Sequence, residues 1–318
     1  MRCFITGVAG FVGSSLADTL LAQGHEVIGI DCFTDYYSRE VKERNLDVAR
    51  SYDRFTFRET NLLELNYPAL LDGVQWIFHQ AAQAGVRASW GREFSVYTDN
   101  NVLATQRLLE GIRESKGQSL TKIIYASSSS IYGNAETLPT REEVAPRPIS
   151  PYGVTKLAAE HLMMLYASEY QLPTVSLRYF TVYGPRQRPD MAFHRFIKSG
   201  LTGGTISIYG DGLQTRDFTY IDDIVAANIL AAERAPTGSI YNLGGGSRIS
   251  LREVLTIIET LLDGRKLNVR FDARQYGDAT HTGADTTRAR NELHFEPTVK
   301  LTSGLAEQAK WLKEELGL

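Results

Sequence analysis

Short apolar runs alternate with longer stretches in which apolar residues recur every three or four positions, and this rhythm persists to about residue 180. Runs rich in β-branched and aromatic residues read as buried strands, and the stretches of 3.6-residue period as helices laid against them. Cys3-Phe4-Ile5-Thr6 is the first strand; the helix after it turns Val12, Leu16, Leu20 and Leu21 inward and stops at Gly24. Further strands fall at Val27 to Ile30, Phe55 to Arg58, Gln75 to His79, Lys122 to Ala126 and Val175 to Phe180. One helix starts at Asn100-Asn101-Val102 with Leu103, Leu108, Leu109 and Ile112 as its apolar positions, and another opens at Pro151. Strands alternating with helices predict crossover connections, hence an α/β chain with a doubly wound parallel sheet.

Past Tyr183-Gly184-Pro185 the elements shorten and the rhythm breaks. Short, less regular segments at Ile206 to Tyr209 and Arg216 to Phe218 mix with strands near Ser239 to Asn242 and Leu267 to Phe271 and with helices at Asp222 to Glu233, Leu251 to Leu262 and Leu301 to Leu316. The pattern predicts a first domain over 1–180 and a smaller, interleaved α/β substrate-binding region over 181–318, with some segments returning to the first. Thr34 to Asp53 carries a short helical stretch and no strand.

The turn after the first strand, Gly7-Val8-Ala9-Gly10-Phe11-Val12-Gly13, joins strand to helix. Glycines at these three places allow a tight turn, approach of a pyrophosphate to the helix start, and close packing of helix on strand. The second strand ends in Asp31, whose carboxylate suits a ribose diol and repels a 2′-phosphate, and Cys32 brings no cation; the pattern favours NAD over NADP. Gln80-Ala81-Ala82, after the fourth strand, are small enough for close approach to a cofactor. Asn61 and Leu62 follow the third strand, where either an adenine pocket or a plain loop fits. His79 reads as a core histidine.

Downstream, Ser127, Ser128, Ser129 and Ser130 follow the fifth strand, at the carboxyl edge where open α/β sheets bind ligands. Ser150-Pro151-Tyr152-Gly153-Val154-Thr155-Lys156 then begins a helix, and residues four apart share a helix face. Tyr152 and Lys156 can therefore meet one small molecule, with Tyr152 as proton carrier and the Lys156 ammonium favouring its phenolate. Arg87, Arg186, Arg188 and Arg216 stand in loop contexts, and a guanidinium fork matches carboxylate or phosphate.

Composition narrows the partners. The 318 residues carry 34 basic and 37 acidic side chains, net charge −3, with no block of one sign, so neither nucleic acid nor membrane is indicated. The two cysteines, Cys3 and Cys32, offer no metal-ligand spacing or disulfide framework and suggest a reducing compartment. The amino end opens on a strand, without a leader pattern, and no apolar run reaches the ~18 residues of a membrane span; the expectation is a cytoplasmic protein that binds no metal.

Together these motifs resemble the extended short-chain dehydrogenase/reductase family, whose NAD-binding domain is Rossmann-type, and within it the nucleotide-sugar 4-epimerases. The likeness to UDP-glucuronic acid 4-epimerases runs through Asp35-Tyr36-Tyr37, Ala84-Gly85-Val86-Arg87 and the segment Thr181 to Ala192. The resemblance implies NAD held by Gly7, Gly10, Phe11, Val12, Gly13 and Asp31, with Asn61 and Leu62 at the adenine, Lys156 at the nicotinamide ribose, and Gln80, Ala81, Ala82 and Asn100 beside it. It makes Ser128, four positions before Tyr132 of Ile131-Tyr132-Gly133, the hydroxyl that assists Tyr152, with Ser127 and Ser129 as neighbours. Arg216 takes the place of a diphosphate ligand, Tyr209 falls at the uracil, and Arg188 and Thr181 meet the sugar carboxylate. Arg87, Met191, Ala192, Phe193 and Asp278 complete the expected substrate set, while Arg274 lies near a second diphosphate position.

The implied reaction oxidises C4 of a UDP-sugar to a ketone and reduces it on the other face. A neutral-sugar UDP-glucose 4-epimerase is the alternative. A UDP-glucuronate decarboxylase is disfavoured because Ser130 stands where such enzymes carry glutamate before the Tyr-Gly motif, and a non-catalytic NAD-binding regulator is disfavoured by the intact Tyr152, Lys156 and Ser128. The family also implies a homodimer, paired through the helices near Asn100 and Tyr152.

Overall fold

A computed structural model describes residues 1–115 and 119–318. Seven strands form one parallel sheet: β1 (Arg2–Thr6), β2 (Glu26–Asp31), β3 (Phe55–Glu59), β4 (Trp76–His79), β5 (Lys122–Ser128), β6 (Thr174–Tyr179) and, from late in the chain, β10 (Ser239–Leu243). The order across the sheet is β10-β6-β5-β4-β1-β2-β3. The sheet winds both ways from β1, which lies between β2 and β4. That switch point opens a crevice at the carboxyl edge, with the glycine turn and the Ser127 to Ser130 turn on its rim.

Alternation along each strand fills both faces. Cys3 and Ile5 join one buried cluster with Trp76, Phe78, Val175 and Leu177, while Phe4 joins the opposite cluster with Ile77, Ile123 and Tyr125. Burial on both sides explains why these strands read as nearly continuous apolar runs. His79, the expected core histidine, is buried between Thr6 Oγ1 (2.7 Å) and Thr105 Oγ1 (2.9 Å).

The later strands build two small sheets over the crevice. β7 (Thr181–Tyr183), β9 (Thr215–Tyr220) and β11 (Ser247–Ser250) make one, in the order β11-β9-β7; β8 (Thr205–Tyr209) and β12 (Asn268–Asp272) pair parallel as the other. Among the described residues no helix is long and apolar enough to cross a membrane.

The helix with Leu108, Leu109 and Ile112 does not start at Asn100. Helical backbone begins at Phe94, widens into a π turn over Thr98–Leu103 and continues as α-helix over Ala104–Glu114. Leu103 is consequently turned outward, 41% exposed, rather than inward. The buried Asn101 anchors the wide turn: its Oδ1 accepts from the Gln83 N–H (2.7 Å) and its Nδ2 donates to the Gln83 carbonyl (3.0 Å) and Thr155 Oγ1 (2.9 Å). Such turns recur at functional sites, and this one ties the loop after β4 to the Tyr152 helix.

Beneath the serine turn lies a buried ion pair, Arg178 Nη2 to Glu160 Oε1 at 2.7 Å, with both side chains 4% exposed or less. Glu160 also accepts from Ser127 Oγ (2.6 Å), and Arg178 donates to Tyr132 Oη (2.5 Å) and the Glu142 carbonyl (2.9 Å). Removing one partner strands a buried charge, so Arg178→Ala is expected to cost about 3–5 kcal/mol. The double replacement Glu160→Leu/Arg178→Met is expected to cost less, and denaturant unfolding of both variants checks it; a double variant no more stable than the single would show that the stranded charge is not the cause.

Candidate active site

The glycine turn is shaped by contacts that only glycine allows. Gly7 has φ +69, and a Cβ there would lie 2.7 Å from the backbone of Ala81; a Cβ on Gly13 would lie 2.2 Å from the Gly7 carbonyl oxygen. The helix that follows, Phe11–Ala22, has no side-chain cap and no acidic residue in its first turn, which leaves its amino end to an anion. Opposite, both Asp31 oxygens are fixed by backbone donors, Oδ2 by the Ala9 N–H (3.1 Å) and Oδ1 by the Phe33 N–H (2.9 Å). Burial raises the Asp31 pKa despite these donors and Lys42. A diol donating two hydroxyls to that carboxylate would restore what burial removes.

One cavity joins these groups. Gly7, Gly10, Phe11, Val12, Gly13 and Asp31 line it, followed by Asn61 and Leu62 at one end. Gln80, Ala81, Ala82, Asn100, Ser127, Tyr152 and Lys156 line the other. The cradle, the diol acceptor and the small residues of the β4 loop fit a dinucleotide. Lys42, a wall residue that sequence reasoning missed, donates to the Thr34 carbonyl (2.5 Å) and lies over the Tyr37 ring; among the charged neighbours of the short helix Arg39–Asn45 nothing local marks it as the one facing the cleft.

Tyr152 sits in the first turn of the helix Pro151–Tyr170, capped by Ser150 Oγ, which accepts from the Gly153 N–H (3.1 Å). Proline at the first helical position and serine before it are strong start signals, which explains why the tyrosine is placed so close to the cleft. Burial raises the Tyr152 pKa and outweighs the charge of Arg188 and the nearby Ser128 hydroxyl, which favour the phenolate. Lys156 lies one helical turn further along the same helix. Its ammonium lies over the Tyr125 ring at 4.4 Å, and burial lowers its pKa to about 7 against the opposing pull of Glu160. The Arg188 guanidinium adds a second cation, whose charge favours the Tyr152 anion.

A second cavity continues from the first past Tyr152. Ser127, Ser128, Ser129, Thr181, Arg188, Met191 and Ala192 line it, with Arg87, Tyr209 and Asp278 at its far end. Arg87 is not unpaired: it donates to Asp278 Oδ2 (2.7 Å) and stacks on the Tyr209 ring (4.2 Å). Arg216 lines a third cavity together with Arg274, Tyr209 and Asp278, and burial lowers its pKa, a cost that an anion would relieve. Phe193 belongs to none of the three. It is 1% exposed and packs on Phe218 at 4.3 Å, because the helix Ala192–Thr202 starts one residue earlier and turns this ring into the core.

The loop carrying Arg188 is pinned from several sides. Arg186 pairs with Asp18 of the first helix (2.7 Å), and Gln187 Oε1 accepts from the His194 N–H (2.9 Å) and Gln308 Nε2 (2.8 Å). Arg188 itself donates to Asp190, Nε to Oδ1 (3.0 Å) and Nη2 to Oδ2 (3.1 Å).

Comparison with known proteins agrees with this arrangement. The profile of the NAD dependent epimerase/dehydratase family matches residues 3–244. The chain is 44% identical to the uncharacterized UDP-glucose epimerase YtcB of Bacillus subtilis, over 98% of each chain. It is 38% identical to the UDP-glucuronate 4-epimerase of Thermodesulfobacterium geofontis, over 99% of this chain and 97% of that protein. The crystal structure of UDP-glucuronic acid 4-epimerase from Bacillus cereus in complex with UDP-glucuronic acid and NAD superposes with a TM-score of 0.95 at 40% identity, over 99% of this chain and 100% of that one.

Proposed function

The chain belongs to the NAD dependent epimerase/dehydratase family, and from that premise we propose that it is an NAD-dependent 4-epimerase interconverting UDP-glucuronic acid and UDP-galacturonic acid. The observation that carries this reading is the placement of Arg188 and Thr181 in the cavity that continues past Tyr152, where a sugar carboxylate has both a cation and a hydroxyl to meet. The B. cereus complex and the T. geofontis relative support the same substrate.

Bound NAD supplies the redox chemistry that turns the C4 hydroxyl into a ketone and back. The residues of this chain bind and move protons around it. Tyr152 takes the proton of the C4 hydroxyl and later returns it to the oxygen at C4. Arg188 and Ser128 favour the anionic tyrosine oxygen during that exchange, against the burial that opposes it. Arg216 and Arg274 meet the diphosphate, with Tyr209 at the uracil, and Asp31 takes the ribose diol of the cofactor.

One observation favours a neutral sugar instead. Arg188 is already paired with Asp190, so the net charge beside Tyr152 is small, and the B. subtilis relative bears a UDP-glucose name. Proton NMR of the purified protein with UDP-glucuronic acid, with carbon dioxide monitored, separates the two. UDP-galacturonic acid without carbon dioxide is expected. No reaction with the acid together with turnover of UDP-glucose would overturn the acidic-sugar reading, and a pentose product would mean decarboxylation.

The protein is further read as a cytoplasmic homodimer. Leu103, Val154, Met164 and Leu165 are exposed on two packed helices, a surface that a second copy would cover.

A further inference from the structure

Arg188 has five N–H donors in a planar fork, and Asp190 takes two of them along the Nε–Nη2 edge. Among the described residues Nη1 donates to no protein group, and Arg188 lines the cavity past Tyr152, which leaves the terminal Nη1–Nη2 edge available to a ligand there. Asp190 is held in turn by Tyr36, whose hydroxyl donates to Oδ2 (3.2 Å) and whose ring lies 5.9 Å from the Arg188 guanidinium. Tyr36 can reach that far because Gly85 makes room: at φ +105 it has no Cβ, and one built there would lie 2.2 Å from the tyrosine oxygen. Tyr97 steadies the Gly85 backbone by donating to its carbonyl (3.0 Å). Since Arg186 and Gln187 already fix the loop backbone, rotation of the Arg188 side chain is what remains for Asp190 and Tyr36 to restrict.

We propose that Tyr36 and Asp190 are positioning residues that clamp the inner edge of Arg188, so that its terminal edge grips the sugar carboxylate in one orientation while C4 is a ketone. The proposal rests on the acidic-sugar reading. With C4 oxidised the acid is a β-keto acid, which loses carbon dioxide when the carboxylate stands perpendicular to the carbonyl plane. The C5–C6 bond then breaks, its electron pair enters the C4 carbonyl as an enolate, and C5 takes up a proton. A guanidinium held flat against both carboxylate oxygens opposes that rotation; one that swings on its own torsions follows it. Asp190 thus serves the reaction through Arg188, and Gly85 serves it through Tyr36.

Tyr36→Phe removes one hydroxyl and no charge, whereas Asp190→Asn removes charge as well, so the pair separates positioning from electrostatics. Each variant is incubated with UDP-glucuronic acid, and epimer and carbon dioxide are measured together, with thermal unfolding as a check on the fold. Released carbon dioxide per epimer formed, below detection in the wild type, is expected to rise to about tenfold or more above that detection limit in both variants, a loss of restraint on the order of one charge-assisted hydrogen bond. An unchanged ratio in both would overturn the clamp, and a rise confined to Asp190→Asn would assign the effect to charge and overturn it equally. Should the wild type leave the acid untouched while turning over UDP-glucose, the substrate reading itself falls and the clamp with it; failure of the clamp alone is recognised by a wild type that epimerises the acid.

Discussion

Tyr152→Phe is expected to lower kcat by roughly a thousandfold, the middle of the range for a positioned acid–base group. The phenol lies where the dinucleotide and sugar cavities meet, at the start of the helix that also carries Lys156, and the charge of Arg188 favours its anion. Its ring packs edge-on to Tyr97 at 6.4 Å, a contact that phenylalanine keeps, so the fold and the substrate KM are expected to change little. The sign of the pH dependence is set by burial. Burial raises the Tyr152 pKa, the phenolate is the reactive form, and the limb of kcat/KM carried by this residue therefore rises with pH until the phenol is deprotonated. In Tyr152→Phe that limb disappears. Rates followed by proton NMR across pH, beside an unfolding midpoint, check the prediction; a variant that keeps more than about a tenth of the activity would remove Tyr152 from its role.

What could be read from the sequence was what short-range stereochemistry dictates. The Gly7 turn, the Ser150-Pro151 helix start and the apolar strands each depend on neighbours within a few residues, and the parallel sheet with its crevice follows from their alternation. Features set by distant partners were not legible. Tyr36 and Asp190 meet across 154 positions, and no local pattern at either marks the contact. Asn101 looked like a helix start because its amide side chain is a common cap; its partners, Gln83 and Thr155, hold it inside a wide turn instead. Phe193 lies in a motif that otherwise faces the ligand, and a helix beginning at Ala192 turns it away. The Tyr-x-x-x-Lys spacing was plain, yet which cation serves the tyrosine was not. That depends on the folded surroundings: burial lowers the Lys156 pKa, and a loop about thirty residues on adds the charge of Arg188.

This makes Arg188 a residue with two expected effects of different size. Toward an acidic sugar it supplies a bidentate grip on the carboxylate, and losing two charge-assisted hydrogen bonds of about 1.5–3 kcal/mol each, less the partial compensation by water, corresponds to a hundredfold or greater fall in kcat/KM. Toward a neutral sugar only its support of the Tyr152 anion is lost, on the order of tenfold for one charge favouring an ionised neighbour. Arg188→Ala is therefore expected to lower kcat/KM for UDP-glucuronic acid at least tenfold more than for UDP-glucose. The fold should survive the change, since Asp190 is exposed and left without its partner can turn to water. Arg188→Lys separates the two roles: it returns a positive charge near Tyr152 but not the planar fork, so it should restore the neutral-sugar rate more than the acid rate. Measured kcat/KM for both substrates in both variants decides the matter. Equal losses on the acid and the neutral sugar would mean that Arg188 acts through Tyr152 alone, and the carboxylate would then have to be recognised by Thr181 and the serine turn.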